Sequence, residues 1–352
     1  MLEPETAAVT PLPPLTFEPI LKTRAWGGNR LSRYHREIPP AGLIGESWDL
    51  ADLPPQIEHG RSIVASGPMS GLEISEILTK RRPELLGSIE PSREGGFPLL
   101  VKLLDAKANL SVQVHPDQAY TALNPGTHVK NECWFILEAE KDACVYRGID
   151  PDLDPEEFRQ FASQGNRLLE HLVRIPVEAG DCIRLQSGIC HALGAGVLAV
   201  EYQTPSDTTF RVWDWNRQDP KRPLHLEEAM ACTAFGEDQD DGRPAFTKLA
   251  LLPKADLGGR CVRRICSTED FSIDHVTLPA GEHALPGGPG PLVATCVHGS
   301  TAVMSATSDA VGLRKGTTAL IPAAARDSIT VTEESAQLLL VELEPAADHL
   351  PS

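Results

Sequence analysis

Basic residues are scarce. The 352-residue chain carries 32 Lys and Arg against 49 Asp and Glu, a formal charge of −17. Nucleic acid and anionic membrane surfaces call for basic stripes, so both are excluded as expected partners. A small phosphorylated substrate stays open, because a few cations in one pocket suffice and distant carboxylates are screened over about 8–10 Å. No apolar run approaches the roughly 20 residues that span a bilayer. The opening Met1-Leu2-Glu3-Pro4-Glu5-Thr6 has neither the basic start nor the apolar core of a signal peptide. The eight cysteines show no CxxC pair. Cys261 and Cys266 are closest in sequence, and each cysteine reads as an ordinary buried thiol. The expectation is a reduced, cytoplasmic chain with about two domains' worth of core.

Short apolar segments rich in Val, Ile and Leu recur between Pro and Gly, at residues 132–137, 181–185, 197–203, 208–213, 292–297, 317–321 and 337–343. Many brief strands punctuated by turns predict an all-β sandwich or barrel. Helices enter as insertions: at 72–78 ahead of Pro83, at 224–232, and after Asp154. There the order Asp154, Pro155, Glu156, Glu157 reads as a cap, a first-turn proline and acids at the positive dipole end. The acidic run Glu237–Asp241 reads as a solvated loop at a boundary. The expected organisation is residues 1–235 as a metal-binding domain with helical insertions, 236–246 as linker, and 247–352 as a second β domain without a metal site.

The chemistry concentrates in the first part. Gln113 and His115 lie two apart in Leu110-Ser111-Val112-Gln113-Val114-His115. On a strand that spacing puts both on one face, with Val112 and Val114 on the other. Glu132 and His191 are the best partners from elsewhere. An amide oxygen, two imidazoles and a carboxylate can enclose one divalent ion. In the segment 197–203, Leu198, Val200 and Tyr202 share one face while Glu201 and Gln203 take the other. The remaining histidines read as ordinary core or surface residues.

Gly180-Asp181 through Gly188 and His191 resembles the second motif of the cupin superfamily, with Gln113, His115 and Glu132 standing for the first. Gln186 replaces the second motif's usual proline and Glu138 the first motif's usual glycine. With Ala25-Trp26-Gly27-Gly28, Gly45-Glu46-Ser47-Trp48, residues 97–106, Asn131-Glu132-Cys133-Trp134 and residues 206–214, the chain resembles the type I mannose-6-phosphate isomerases (phosphomannose isomerases) from about Leu21 to Cys232. The resemblance implies a mainly β architecture: a cupin jelly-roll barrel with helical insertions, plus a second, degenerate cupin-like β domain.

It further implies one Zn²⁺ held by Gln113, His115, Glu132 and His191, other divalent metals being compatible with the same donors. Arg211 matches the family's catalytic arginine and Glu201 its active-site acid. Lys102, Ser111 and Lys130 match residues lining the sugar-phosphate pocket, with Arg217 a further contributor. The implied reaction interconverts mannose 6-phosphate and fructose 6-phosphate through a cis-enediol, with a hexose 6-phosphate as the small-molecule partner. Glu201, Lys130 and a solvent molecule activated by the ion are the bases left open. The rival readings are a non-catalytic sugar-phosphate-binding cupin and a non-haem metal cupin oxygenase.

Overall fold

The computed structural model describes residues 12–39, 43–257, 259–305 and 310–345, so the opening hexapeptide lies outside the described residues. Three antiparallel sheets make up the fold. The first runs in the order Phe246–Lys248, Asp181–Leu185, Glu132–Ala139, Val197–Gln203, Leu100–Asp105, Ile44–Leu50 and Ile20–Gly28. The second runs Phe210–Trp213, Val112–Val114, His191–Leu193, Cys144–Ile149 and Leu172–Pro176. The third has eight strands and holds Arg260–Ser267, Phe271–Ala284, Leu292–Met304 and Ile329–Leu343, with Leu15–Thr16 from the chain's start added beside Thr318–Ile321.

Period-two patterning decides how the layers stack. Trp134, Ile136, Ala199, Ile183 and Leu185 of the first sheet meet Val145 and Leu193 of the second in one core, the interior of the barrel. Alternate residues of the same strands, among them Val101, Leu103, Cys133, Phe135, Val200 and Tyr202, point away. They pack on Ile265, Phe271, Ile273, Val293 and Val341 of the third sheet. Each such side chain contributes about 1.5–3 kcal/mol when fully buried. The outer face of the second sheet, including Val112 and Val114, is roofed by Phe158, Ala229 and Cys232 from helices Pro155–Ser163 and Leu226–Cys232.

Local chemistry explains the helical insertions. The Asp154 side chain accepts from the Glu157 backbone at 2.8 Å, closing a capping box ahead of Pro155. The helix expected to stop before Pro83 instead runs Ile74–Leu86. Its backbone breaks at Arg81 (φ −138°), which accommodates the proline that a regular helix could not. The third-sheet strands at Leu292–Met304 and Ile329–Leu343 extend well past the apolar runs, because their polar halves pair with each other. The acidic run is exposed at Glu237, Asp238, Asp240 and Asp241, as expected, yet it is anchored: Gly236–Gln239 forms a 3-10 turn, Gln239 bonds Ile149, and Asp241 grips the Arg184 guanidinium at 2.8 Å. Among the described residues no helix is long and apolar enough to cross a membrane.

Glycines near the start of the first sheet mark close approach. A Cβ on Gly27 would stand 2.5 Å from the Gly45 nitrogen, so Ala25-Trp26-Gly27-Gly28 and Gly45-Glu46-Ser47-Trp48 need each other. Nearby, Arg36 is buried among the sheets. It donates to Asp49 at 2.5 Å, Ser47 at 2.9 Å and the Gly316 carbonyl at 2.8 Å. Removing one member of a buried pair leaves the other charge unmatched. Arg36→Ala is expected to lower unfolding free energy by about 3–5 kcal/mol in chemical denaturation; a loss below about 1 kcal/mol would show that Asp49 finds another partner.

Candidate metal centre and cavity

Register brings the key side chains into one row. His191 pairs with Gln113, and Gln113 pairs on its other side with Arg211. His115 follows immediately after its strand, and its carbonyl accepts from the Gly188 backbone at 2.9 Å. Gly188 adopts φ +87°, a left-handed turn that favours glycine and aims the chain at His191. Glu132 opens the neighbouring strand of the first sheet, opposite Gln203.

His115, Glu132 and His191 converge, with their ligand atoms all within 4.8 Å of one another. His115 donates from Nδ1 to the Thr208 carbonyl at 3.0 Å, and His191 from Nδ1 to the Ile189 carbonyl at 2.7 Å. These bonds fix the tautomer, leaving both Nε2 lone pairs facing Glu132 at 3.2 and 3.5 Å. Two neutral nitrogens and an anion share a dry site in which both Glu132 oxygens, wholly buried, lack a well-directed hydrogen bond. Lys130 supplies nearby positive charge, touching Glu132 and reaching His115 Nε2 at 3.2 Å. Such a donor set fits a divalent cation. Gln113 places its amide nitrogen 3.4 Å from His191 Nε2 and accepts at Oε1 from Ser111 at 3.1 Å. Ser111 can donate or accept, so the amide can turn its oxygen toward His191 Nε2, but two acceptors would then face each other unless a cation lay between them.

Electrostatics favour the same protonation states. Burial, helped by the Lys130 charge, pushes the His115 pKa down to about 4. Burial lowers His191 as well. Burial alone would protonate Glu132, but the Lys130 charge against it outweighs burial and holds the carboxyl well below its ordinary range. His115, Glu132 and His191 are therefore in protonation states that can bind a metal at neutral pH.

A cavity of about 420 Å³ opens beside this group. Its wall carries Arg24, Lys102, Lys130, Arg211, Lys221 and Arg222 against Glu46, Glu201, Asp207 and Asp219, six cations to four anions in a chain of charge −17. Lys102 donates to Glu201 at 2.8 Å and also to Gln203, while Glu201 accepts from Trp134 Nε1 at 2.9 Å. Burial opposes the Lys102 charge, yet Glu201, Glu46 and Glu132 outweigh it and raise the pKa. Arg24 holds Glu46 at 2.7 and 3.0 Å; against burial, Arg24 and Lys102 hold the Glu46 carboxyl down to about 2.

Arg211 has no carboxylate within ion-pair reach among the described residues, and its buried Nε has no acceptor. Burial and the neighbouring Arg222 both work against its charge. Asp207 and Asp214, close to it in sequence, do not capture it; Asp214 is taken by Arg222 at 2.8 Å. Arg217 does not reach the cavity. Its guanidinium donates to the Asn109 carbonyl at 3.0 Å and lies 3.4 Å from Asp214. Arg24, Lys221 and Arg222 were not singled out from the sequence; Arg24 carried a signal, directly preceding Ala25-Trp26-Gly27-Gly28.

Comparison with known proteins gives this arrangement a context. Residues 15–145 match the family model described as the phosphomannose isomerase type I catalytic domain. A mannose-6-phosphate isomerase of Streptococcus mutans is 37% identical over 243 residues, covering 68% of this chain and 73% of that protein. The chain belongs to the type I phosphomannose isomerase family. A second family member, a mannose-6-phosphate isomerase of Bacillus subtilis, is 38% identical over 221 residues, covering 62% of this chain and 67% of that one. The crystal structure of a mannose 6-phosphate isomerase from Bacillus subtilis superposes with TM-score 0.80 at 27% identity, covering 94% of this chain and all of that one. The cupin fold of these phosphomannose isomerases is thus present along nearly the whole chain.

The His115 environment has a consequence for stability. The imidazole titrates near 6.5 when unfolded and at about 4 when folded. As pH falls through that window the unfolded chain takes up the proton first, so folding loses stability there and keeps it above. Melting temperatures of chelator-treated protein should fall between about pH 6.5 and 4, with a shallower slope in His115→Gln. Equal slopes would mean that His115 is not the group responsible.

Proposed function

We propose that this chain is a metal-dependent aldose–ketose isomerase that interconverts mannose 6-phosphate and fructose 6-phosphate through a cis-enediol. The observation that carries the reading is the unpaired Arg211 one strand from the His115–Glu132–His191 group, on the wall of a cation-rich cavity. Gln113, His115, Glu132 and His191 would hold one ion, which we assign as Zn²⁺. When bound, it would act as a Lewis acid toward the sugar's carbonyl and hydroxyl oxygens.

The residues then divide by what they touch. Loss of the C2 proton of the aldose, or of a C1 proton of the ketose, leaves negative charge on the adjoining oxygens. A half-buried guanidinium without a counter-ion stabilises that charge with little reorganisation of water, and we assign Arg211 this role. Lys130 and Glu201 both line the cavity as candidates to carry the proton between C1 and C2. Glu201 has both oxygens engaged, by Lys102 and Trp134, so its position is rigid. Lys102, Ser111 and Lys130, joined by Lys221 and Arg222, are the contacts offered to hydroxyls and phosphate. Arg217, on the Asn109 carbonyl, has no part in this assignment. Eight free thiols suit the reducing cytoplasm in which we place the enzyme.

A coupled assay for fructose 6-phosphate should register turnover that is lost on chelation and restored by zinc. Metal-loaded protein that binds the sugar phosphate without turnover would favour the non-catalytic cupin, and oxygen uptake the oxygenase. Within the isomerase, Arg211→Ala should lower kcat by about 10²–10³, together with exchange of the C2 proton into solvent. Unchanged exchange would remove Arg211 from the chemistry.

A further inference from the structure

Three cysteines distant in sequence meet behind the cavity. Cys133, Cys182 and Cys266 are all buried, their sulfurs within 4.8 Å of one another, with Cys133 and Cys182 Sγ only 3.2 Å apart. Cys133 and Cys182 lie on adjacent strands of the first sheet, on the face turned from the barrel interior. Cys266 comes from the third sheet, and the pairing register slips between Arg264 and Cys266. An irregularity of that kind re-aims a side chain. Cys261, the neighbour suggested by sequence spacing, takes no part in the cluster.

We propose that this trio is a second metal site, which takes a thiophilic d¹⁰ cation, Cu⁺ or Zn²⁺, and ties the third sheet to the strand that carries Glu132. A disulfide is the poorer use of these thiols. Cys133 lies opposite Arg184 and Cys182 opposite Phe135, so the two cysteines are diagonal neighbours. Diagonal Cα atoms stand roughly 7–8 Å apart, beyond the usual disulfide span. A disulfide would also strand the third thiol. Sulfurs about 3.8 Å apart suit a shared ion with metal–sulfur bonds of about 2.3 Å, which asks only small shifts of the present trio. Soft sulfur donors select Cu⁺ or Zn²⁺ over harder ions. Among the described residues no fourth His, Cys, Asp or Glu joins the group. A three-coordinate site favours Cu⁺, and Zn²⁺ would complete its tetrahedron with another donor. Loading forms three sulfur–metal bonds and releases three thiol protons to solvent; no electron changes hands when copper is supplied as Cu⁺.

The test uses full-length protein, reduced, stripped of metal, loaded anaerobically with Zn²⁺ or Cu⁺ in parallel, and desalted. Elemental analysis should find one more equivalent of metal per chain in the wild type than in Cys266→Ser, in at least one of the two arms. Cys266→Ser should keep its sugar isomerisation, and His191→Ala should keep the thiol-bound equivalent. The same metal content in wild type and Cys266→Ser in both arms would overturn the proposal. Should Cys266→Ser fail to fold, wild-type protein loaded with Co²⁺ or Cu⁺ decides. An ultraviolet thiolate-to-metal charge-transfer band is expected, and its absence with both ions overturns the proposal. Metal counts do not depend on turnover, so failure here and failure of the isomerase reading are separate results.

Discussion

A carboxylate with no water around it must be matched by positive charge, and in this protein that carboxylate is Glu132. It is fully buried, with two imidazoles turned toward it and Lys130 alongside. An isolated carboxylate in such a place would be several kcal/mol out of balance. Cationic neighbours or an ion must therefore stay, and the strands that deliver them must keep their register. A slip of one residue would send Glu132 to the opposite face of its strand and bring Cys133 inward.

The two sheets of the barrel divide the work. The second sheet supplies Gln113, His191 and Arg211 in one row, with His115 just beyond. Backbone carbonyls of Thr208 and Ile189 lock both rings. The first sheet supplies Lys102, Glu132 and Glu201, with charges that lean on one another rather than on solvent. Anion-binding capacity is left at Arg211 and the adjoining cationic wall. A negatively charged molecule thus has a place to go even though the protein as a whole repels it.

Much of this was legible in the sequence wherever a local rule applied. Spacing alone put Gln113 opposite Val112 and Val114, and alternation put Glu201 opposite Leu198, Val200 and Tyr202, which do pack together in the core. Asp154 and Pro155 announced a helix start through capping chemistry. Long-range assembly was not legible. Arg217 and Arg222 sit five residues apart in one loop, yet Asn109 captures the first while the second reaches the cavity wall. The far halves of the third-sheet strands bury Thr301, Thr330 and Thr332 beside Val303, so burial alternates there without the apolar alternation that a sequence shows. The cysteine trio belongs to the same class, since its members are 49 and more residues apart and only the stacking of sheets unites them.

The strand Glu132–Ala139 has two allegiances, with Glu132 and Trp134 toward the barrel and Cys133 and Phe135 toward the third sheet. Shortening the chain to the portion that contains His115, Glu132 and His191 would leave a broad greasy wall of Val101, Leu103, Phe135 and Tyr202 facing water. The third sheet therefore cannot be dispensed with, because it covers that wall. What the third sheet provides is a dry backing for the strands that carry Lys102, Glu132 and Glu201.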